Sequence, residues 1–448
     1  MKRTIFGFLI IICVSFNLLS QEDNSEIITE IPKFTLNGFA RGSAFGGSET
    51  FDIANAFGEF GIKTSFSGNN TGFVADLRVR DGIFFGEHQT IINLKEAYAE
   101  YTGKYFEISL GNRIINYGKA TGFNPTDNIC PKDYFYISSD IEDMKMSNFM
   151  LKTNIKPVSQ INIELVLLPF FKPSVYRYDL FDMSNDMGAN AIFDDMTLPD
   201  VNFDNMSYSA HVNTTLSGID FGLMFFNGYD PYYAFDLKNI EMIPAIKIIY
   251  QPAFYKKTSA GLDFSIPVKT WLISGELAYN HTTNYKDNIF TPNPNLHYVI
   301  GLEKDIAGVK VIAEYIGRYV FDFNKLVAPS LPSDFTDTAQ LINYMNETVI
   351  YESAKYTRRV FEQYYQMNNA MMLSLHRNWL WETLSTELSF LYNLSTEEKL
   401  IRGNITWKAN DELSISGGGQ IMDGPKNTIY DISGKVLSGI WIGMKYSF

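Results

Sequence analysis

The sequence predicts an all-β protein: a transmembrane antiparallel β-barrel of about 18 strands (16–18), with long extracellular loops and short periplasmic turns. Three observations carry this reading. From about residue 33 to the end, apolar residues alternate with polar or small ones in segments of roughly ten to fifteen residues. The connections between those segments alternate short with long. The chain then closes on an alternating strand that ends in the aromatic Phe448.

The N-terminus is read first. An apolar run from Ile5 to Leu19 sits behind Lys2 and Arg3 and ahead of Ser20 and Gln21, the layout of a secretory signal over residues 1–21. Cys13 follows the bulky Ile12, which does not suit a lipoprotein cleavage site. Residues 22–32 are expected to form a short periplasmic segment, too short for a globular plug, and residues 33–448 the barrel. Cys130 is then the single cysteine of the exported chain, which excludes a disulfide scaffold, and a mean hydropathy of -0.09 excludes a helical membrane bundle. The net charge of -13 becomes more negative still once Lys2 and Arg3 are removed, which argues against nucleic acid or anionic lipid as the main partner.

Each strand separates two faces. Phe73, Ala75, Leu77 and Val79 alternate with Asp76, Arg78 and Arg80; Phe60, Ile62 and Phe66 with Glu59, Lys63 and Ser65. The split returns in Trp271, Ile273, Leu277 and Tyr279 against Ser274, Glu276 and Asn280, and in Ile401, Ile405 and Trp407 against Arg402, Asn404 and Thr406. One face suits lipid and the other water; a soluble sandwich would have shorter strands.

Short turns are expected at Ser67–Gly72, Thr102–Lys104, Lys156–Ser159, Ser217–Gly218, Pro267–Thr270, Ala307–Gly308, Asn378–Trp381 and Ala409–Glu412. Opposite them lie three short outer connections, near Gly46–Thr50, Gly86–Gln89 and Ser395–Glu397, and six longer ones at 118–146, 174–205, 229–240, 281–294, 324–366 and 423–434. Ile243 to Val268 is read as one long strand with a bulge at Pro252, because that keeps the long loops on one side. The loop 324–366 holds a helical pattern, with Asp334 to Asp337 available to cap it.

In the last strand Ile440, Ile442, Met444, Tyr446 and Phe448 alternate outward. This is similar to the C-terminal signature of outer-membrane barrels, so Tyr446 and Phe448 are expected to form the signal read by the barrel assembly machinery. The segment Gly111–Lys119, followed by Gly122-Phe123-Asn124-Pro125-Thr126-Asp127-Asn128 and Pro131-Lys132-Asp133-Tyr134, resembles a poorly characterised family of porin-like barrels from the Gram-negative outer membrane. That family carries a strand ending in an aromatic-Gly pair and then an "NPxD…NPxD" loop. Glu96-Ala97-Tyr98, Gly228-Tyr229-Asp230-Pro231 and Gly275–Tyr279 fit as well, while Cys130-Pro131 replaces Asn-Pro, so Cys130 is read as a neutral replacement. The resemblance implies a channel without specifying a solute.

The candidate site follows from the faces. Inward positions of the first five strands gather Arg41, Arg78, Arg80 and Arg113 among Glu59, Asp76, Glu96, Glu100 and Glu107. The third outer loop, 118–146, leaves the strand end above them; Pro125 and Pro131 stiffen it, and Asp127, Asp133 and Asp140 are expected to come toward that wall in an infolded constriction. Opposed charges in confined water orient permeating solutes. The acidic loop 174–205 lacks EF-hand spacing and reads as a cation-attracting vestibule. No GxSxG, HExxH, CxxC or phosphate loop occurs, so neither catalysis, metal nor cofactor is expected. The expected partners are outer-membrane lipid and lipopolysaccharide, the assembly machinery and small hydrophilic solutes diffusing through the lumen. The alternative is an export or assembly scaffold without a diffusive pore.

Overall fold

The computed structural model describes residues 32–181, 190–241, 247–288 and 290–448. The expected signal segment, and Asp182 and Asp186 of the acidic loop, lie outside the described residues.

Eighteen antiparallel strands close into one barrel. They are β1 (Lys33–Gly46), β2 (Ile53–Ser67), β3 (Thr71–Phe84), β4 (Glu87–Thr102), β5 (Phe106–Arg113), β6 (Asn148–Val158), β7 (Ile161–Leu168), β9 (Ser207–Leu216), β10 (Ile219–Tyr229) and, from β13 (Lys256–Val268) on, every strand to the end of the chain. These last are β14 (Trp271–Thr282), β15 (Asn295–Ile306), β16 (Val309–Val320), β17 (Met367–Trp379), β18 (Leu384–Asn393), β19 (Lys399–Lys408), β20 (Leu413–Asp423) and β21 (Gly439–Ser447). Consecutive barrel strands pair as neighbours, and β1 closes the ring on β21 through Ala40 opposite Tyr446 and Gly42 opposite Met444.

Alternation explains the ring. Ile92, Ile300, Ile440 and Ile442 are at least half exposed on the outer face, whereas Glu59, Asp263, Glu276 and Glu314, at inward strand positions, are buried. An apolar exterior with all backbone groups paired is what a bilayer demands. The short turns are tight two-residue reversals at Ser217-Gly218 and Ala307-Gly308, where all four residues take positive φ and glycine adopts it without a Cβ penalty.

Two parts of the chain correct the sequence reading. Of the segment Ile243–Val268, the described residues 247–268 do not form one bulged strand. Only β13 belongs to the barrel, and β12 (Lys247–Ala253) joins β8 (Asn190–Phe193) and β11 (Ala234–Glu241) in a separate three-stranded sheet. The count of eighteen survives because β12 pairs with loop strands, not with the wall. An aromatic core of Tyr178, Tyr233 and Phe235 holds this outer sheet together. The second correction is a helix, α2 (Ile429–Leu437), inside the connection read as loop 423–434; it buries Val436 and Leu437 against Phe45 and Trp441.

The helical pattern in 324–366 forms α1 (Thr338–Val360), capped by Asp337, whose Oδ1 accepts the amides of Ala339 and Gln340. It packs on the outer sheet through Val349 against Ile248 and through Tyr250 Oη, 2.6 Å from Ser353 Oγ.

Candidate functional site

The segment between β5 and β6 is bonded to inward-facing side chains on opposite sectors of the wall. On one side stand β1 and β3. Asp143, in a short helical turn, places Oδ2 2.6 Å from Arg41 Nη1 and Oδ1 3.0 Å from Arg78 Nη1. Arg41 also bonds Glu59 and the Tyr136 hydroxyl. Arg80 lies 3.7 Å from Glu59 with its guanidinium 4.0 Å above the Tyr136 ring. Burial pushes the Asp143 carboxyl up, but the facing guanidinium groups of Arg41 and Arg78 overcome this and hold it at about 2.

On the other side stand β14 and β16. Glu276 Oε1 accepts the amides of Lys119 and Ala120, both at 2.8 Å, and its Oε2 accepts the Thr126 amide and hydroxyl. Glu314 accepts the amides of Thr121 and Gly122 at 2.7 and 3.0 Å. Two wall carboxylates therefore satisfy a stretch of loop backbone that has no strand partner, as buried amides require. Gly118 fits here because a Cβ would strike the Glu276 carboxylate, and its φ of +96° favours glycine.

The remaining sequence-predicted residues fall as follows. Arg113 bonds Ser109 and lies 3.4 Å from Glu100 and 3.6 Å from Glu107, over the Tyr98 ring. Glu96 accepts the Ile114 amide at 3.0 Å. Asp127 is half-buried within the loop, Asp133 accepts the Phe135 amide, and Asp140 caps the short turn that carries Asp143. Burial pushes the carboxyls of both Asp127 and Asp133 up. Cys130 is buried beside the Ile115 amide and its thiol is pushed up to about 12 by that burial.

None of Asp143, Lys95, Glu276 and Glu314 is among the constriction residues expected from the sequence. Lys95 escaped because a bulge between Asp76 and Leu77 breaks simple alternation, so Lys95 and Glu96, although consecutive, both face inward. Lys95 Nζ donates to the carbonyls of Asp143 and Lys145.

Above this network lies a cavity of about 410 Å³ lined by Tyr134, Tyr176, Tyr232 and Tyr430, with Arg402 at its edge. Tyr134 and Tyr176 are stacked at 4.9 Å. Arg402 lies over Trp441 and donates to Gln420 Oε1 and the Ser138 carbonyl, both neutral acceptors. The carboxylates of Glu387 and Asp140 act on its charge from beyond ion-pair distance. A second cavity of about 300 Å³ adjoins the first at Glu362 and Tyr430 and is lined by Arg318, Arg359 and Asn393.

A closed barrel of this size, apolar outside and charged inside, is an outer-membrane β-barrel of the porin type. Its fold is similar to Pseudomonas aeruginosa OpdK crystallised with vanillate (TM-score 0.53, 7% identity, covering 93% of this chain and 98% of that one). It is also similar to Pseudomonas aeruginosa OccK2 (OpdF) in complex with glucuronate (0.50, 9%, 93% and 97%) and to Acinetobacter baumannii OccAB2 (0.52, 11%, 93% and 98%). At these identities the likeness establishes the fold. No family model matches the chain, and no curated protein sequence matches it.

Proposed function

We propose that this chain is an outer-membrane porin through which small hydrophilic solutes diffuse passively along a water-filled lumen. The carrying observation is the double tether of the segment between β5 and β6, to Arg41 and Arg78 on one sector and to Glu276 and Glu314 on another. A segment held at both sides of a closed wall narrows the path between them. In this reading Arg41, Glu59, Arg78, Arg80, Glu96, Glu100 and Arg113 line the narrowed part, and the infolded loop supplies Asp143 together with Asp127, Asp133 and Asp140. Rings of charge in confined water select and orient solutes without chemistry, so the chain acts as a channel, not an enzyme.

Solute preference follows from the aromatic cavity. Its tyrosine wall offers a flat apolar surface, and Arg402 offers a guanidinium whose direct hydrogen-bond acceptors are the neutral Gln420 and Ser138, beside the Asp140 and Glu362 carboxylates on the same lining; the arginine and the rings together suit a ring-bearing anion. The vanillate and glucuronate held by OpdK and OccK2 are solutes of that kind. The test is swelling of liposomes that carry the purified chain. Benzoate and glucuronate should enter faster than an uncharged sugar of similar size, and Arg402→Gln should remove that preference while leaving the sugar rate unchanged. A folded barrel that admits none of them would favour the scaffold reading.

A further inference from the structure

The loop that leads into β9 exposes unusually large apolar side chains. Phe203 is 88% exposed, Val201 66% and Leu198 50%. Such groups cost free energy in water in proportion to the apolar area left uncovered. They do not hang on a free strand of chain. Asn202 caps a short turn by accepting the Asn205 amide at 3.0 Å, and Asn205 Nδ2 donates to the Asp200 carbonyl at 2.9 Å.

The place where this turn is fastened identifies its surroundings. Tyr229 Oη donates to Asn205 Oδ1 at 3.0 Å, and Lys256 Nζ donates to the Asp204 carbonyl. Tyr229 and Lys256 are opposite each other at the outer ends of β10 and β13. Tyr229 shares its face with Leu223 and Phe225, which are exposed on the lipid side, so the turn is fixed to the outside of the wall and not to the lumen. Lys256 Nζ also lies 5.2 Å from the centre of the Tyr229 ring, the amphipathic pairing found where barrels meet the headgroup layer. Below the turn, Tyr208 and Val212 on β9 continue the same outward apolar face.

We infer that residues 198–203 form a membrane anchor outside the barrel proper, with Leu198, Val201 and Phe203 seated in the boundary between headgroups and acyl chains of the outer leaflet. The occupant is lipid because the patch is continuous with the lipid-facing band and fixed by outward side chains at its upper edge. Seating three apolar groups there lengthens the apolar belt on one sector, which holds the barrel at a fixed depth.

The experiment uses the full chain in phosphatidylcholine vesicles with acyl chains brominated near the headgroup. A bimane fluorophore is attached at Phe203→Cys, at Ile300→Cys on the lipid face, and at Glu347→Cys on the exposed helix α1. Cys13 belongs to the expected signal, removed on export, and Cys130 is buried, so labelling of the folded, exported chain is selective. The fluorophore at position 203 should be quenched by bromolipid to the same degree as at position 300, and should be several-fold less accessible to aqueous iodide than at position 347. Iodide accessibility equal to that at position 347, without bromolipid quenching, would overturn the inference. Heat-modifiable migration of each labelled chain confirms that the barrel is folded.

Discussion

Asp143 Oδ1 and Arg78 Nη1 stand 3.0 Å apart although 65 residues separate them in sequence. The second oxygen of the same carboxylate bonds Arg41, so one acidic group joins β1, β3 and the loop. Asp143→Asn keeps the shape and removes the charge. It should shift ion preference toward anions, read as a change of reversal potential in a salt gradient, and should loosen this side of the loop by about 2 kcal/mol. An unchanged reversal potential would mean that Asp143 does not border the ion path.

The same carboxylate sets a pH dependence. Its pKa falls from the ordinary 3.8 to about 2 in the folded chain. A depressed carboxyl contributes stability above its unfolded value and loses it as the pH falls through the folded one. Conductance of the wild-type chain should therefore gain an Asp143-dependent increase as the pH falls from 3.8 through about 2, and Asp143→Asn should lack that increase. Identical acid profiles for the two would contradict the assignment.

The opposite tether is tested with Glu276→Gln. A carboxylate accepts at both oxygens, whereas the amide nitrogen can only donate and would face the amides and hydroxyl it replaced a partner for. Losing the acceptors should cost about 2–3 kcal/mol and expose residues 119–126 to limited proteolysis within folded, detergent-solubilised barrels. Equal protection of that segment in variant and wild type would remove Glu276 from the tether.

Much of this architecture was legible in the sequence, because alternation with period two and turn residues are local signals. The faces of β3, β14 and β19 follow from them, and so do the short turns, although β6 extends to Val158 and β17 to Trp379, past the expected turn starts at Lys156 and Asn378. The long-range partners were not legible. Glu276 reads as one more inward carboxylate until the loop crosses to it, and Lys95 is displaced by a bulge that leaves no clear mark in composition. Asp140 and Asp143 differ by less than one helical turn, so which one reaches the arginines depends on backbone geometry that charge counting does not resolve. The nine-residue α2 contains Gly434 and Ser433, which weaken its helical signal; burial of Val436 and Leu437 against the rim supplies the stabilisation.

Closure of the ring rests on the chain end. Phe448 exchanges two backbone hydrogen bonds with Gly38, at 2.8 and 2.9 Å, and its ring stacks 6.0 Å from Phe60. Deleting Phe448 should lower the yield of heat-modifiable barrel in the outer membrane and leave chain in the periplasm or degraded. Normal yields would show that the seam and the assembly signal do not need it.

Single-channel recording in planar bilayers tests the central reading most directly. Wild-type chain should insert in discrete, ohmic steps, and removal of the tethered loop residues 124–140 should give larger steps from an equally folded barrel. Folded wild-type barrels that insert without any conductance steps would contradict a diffusive pore.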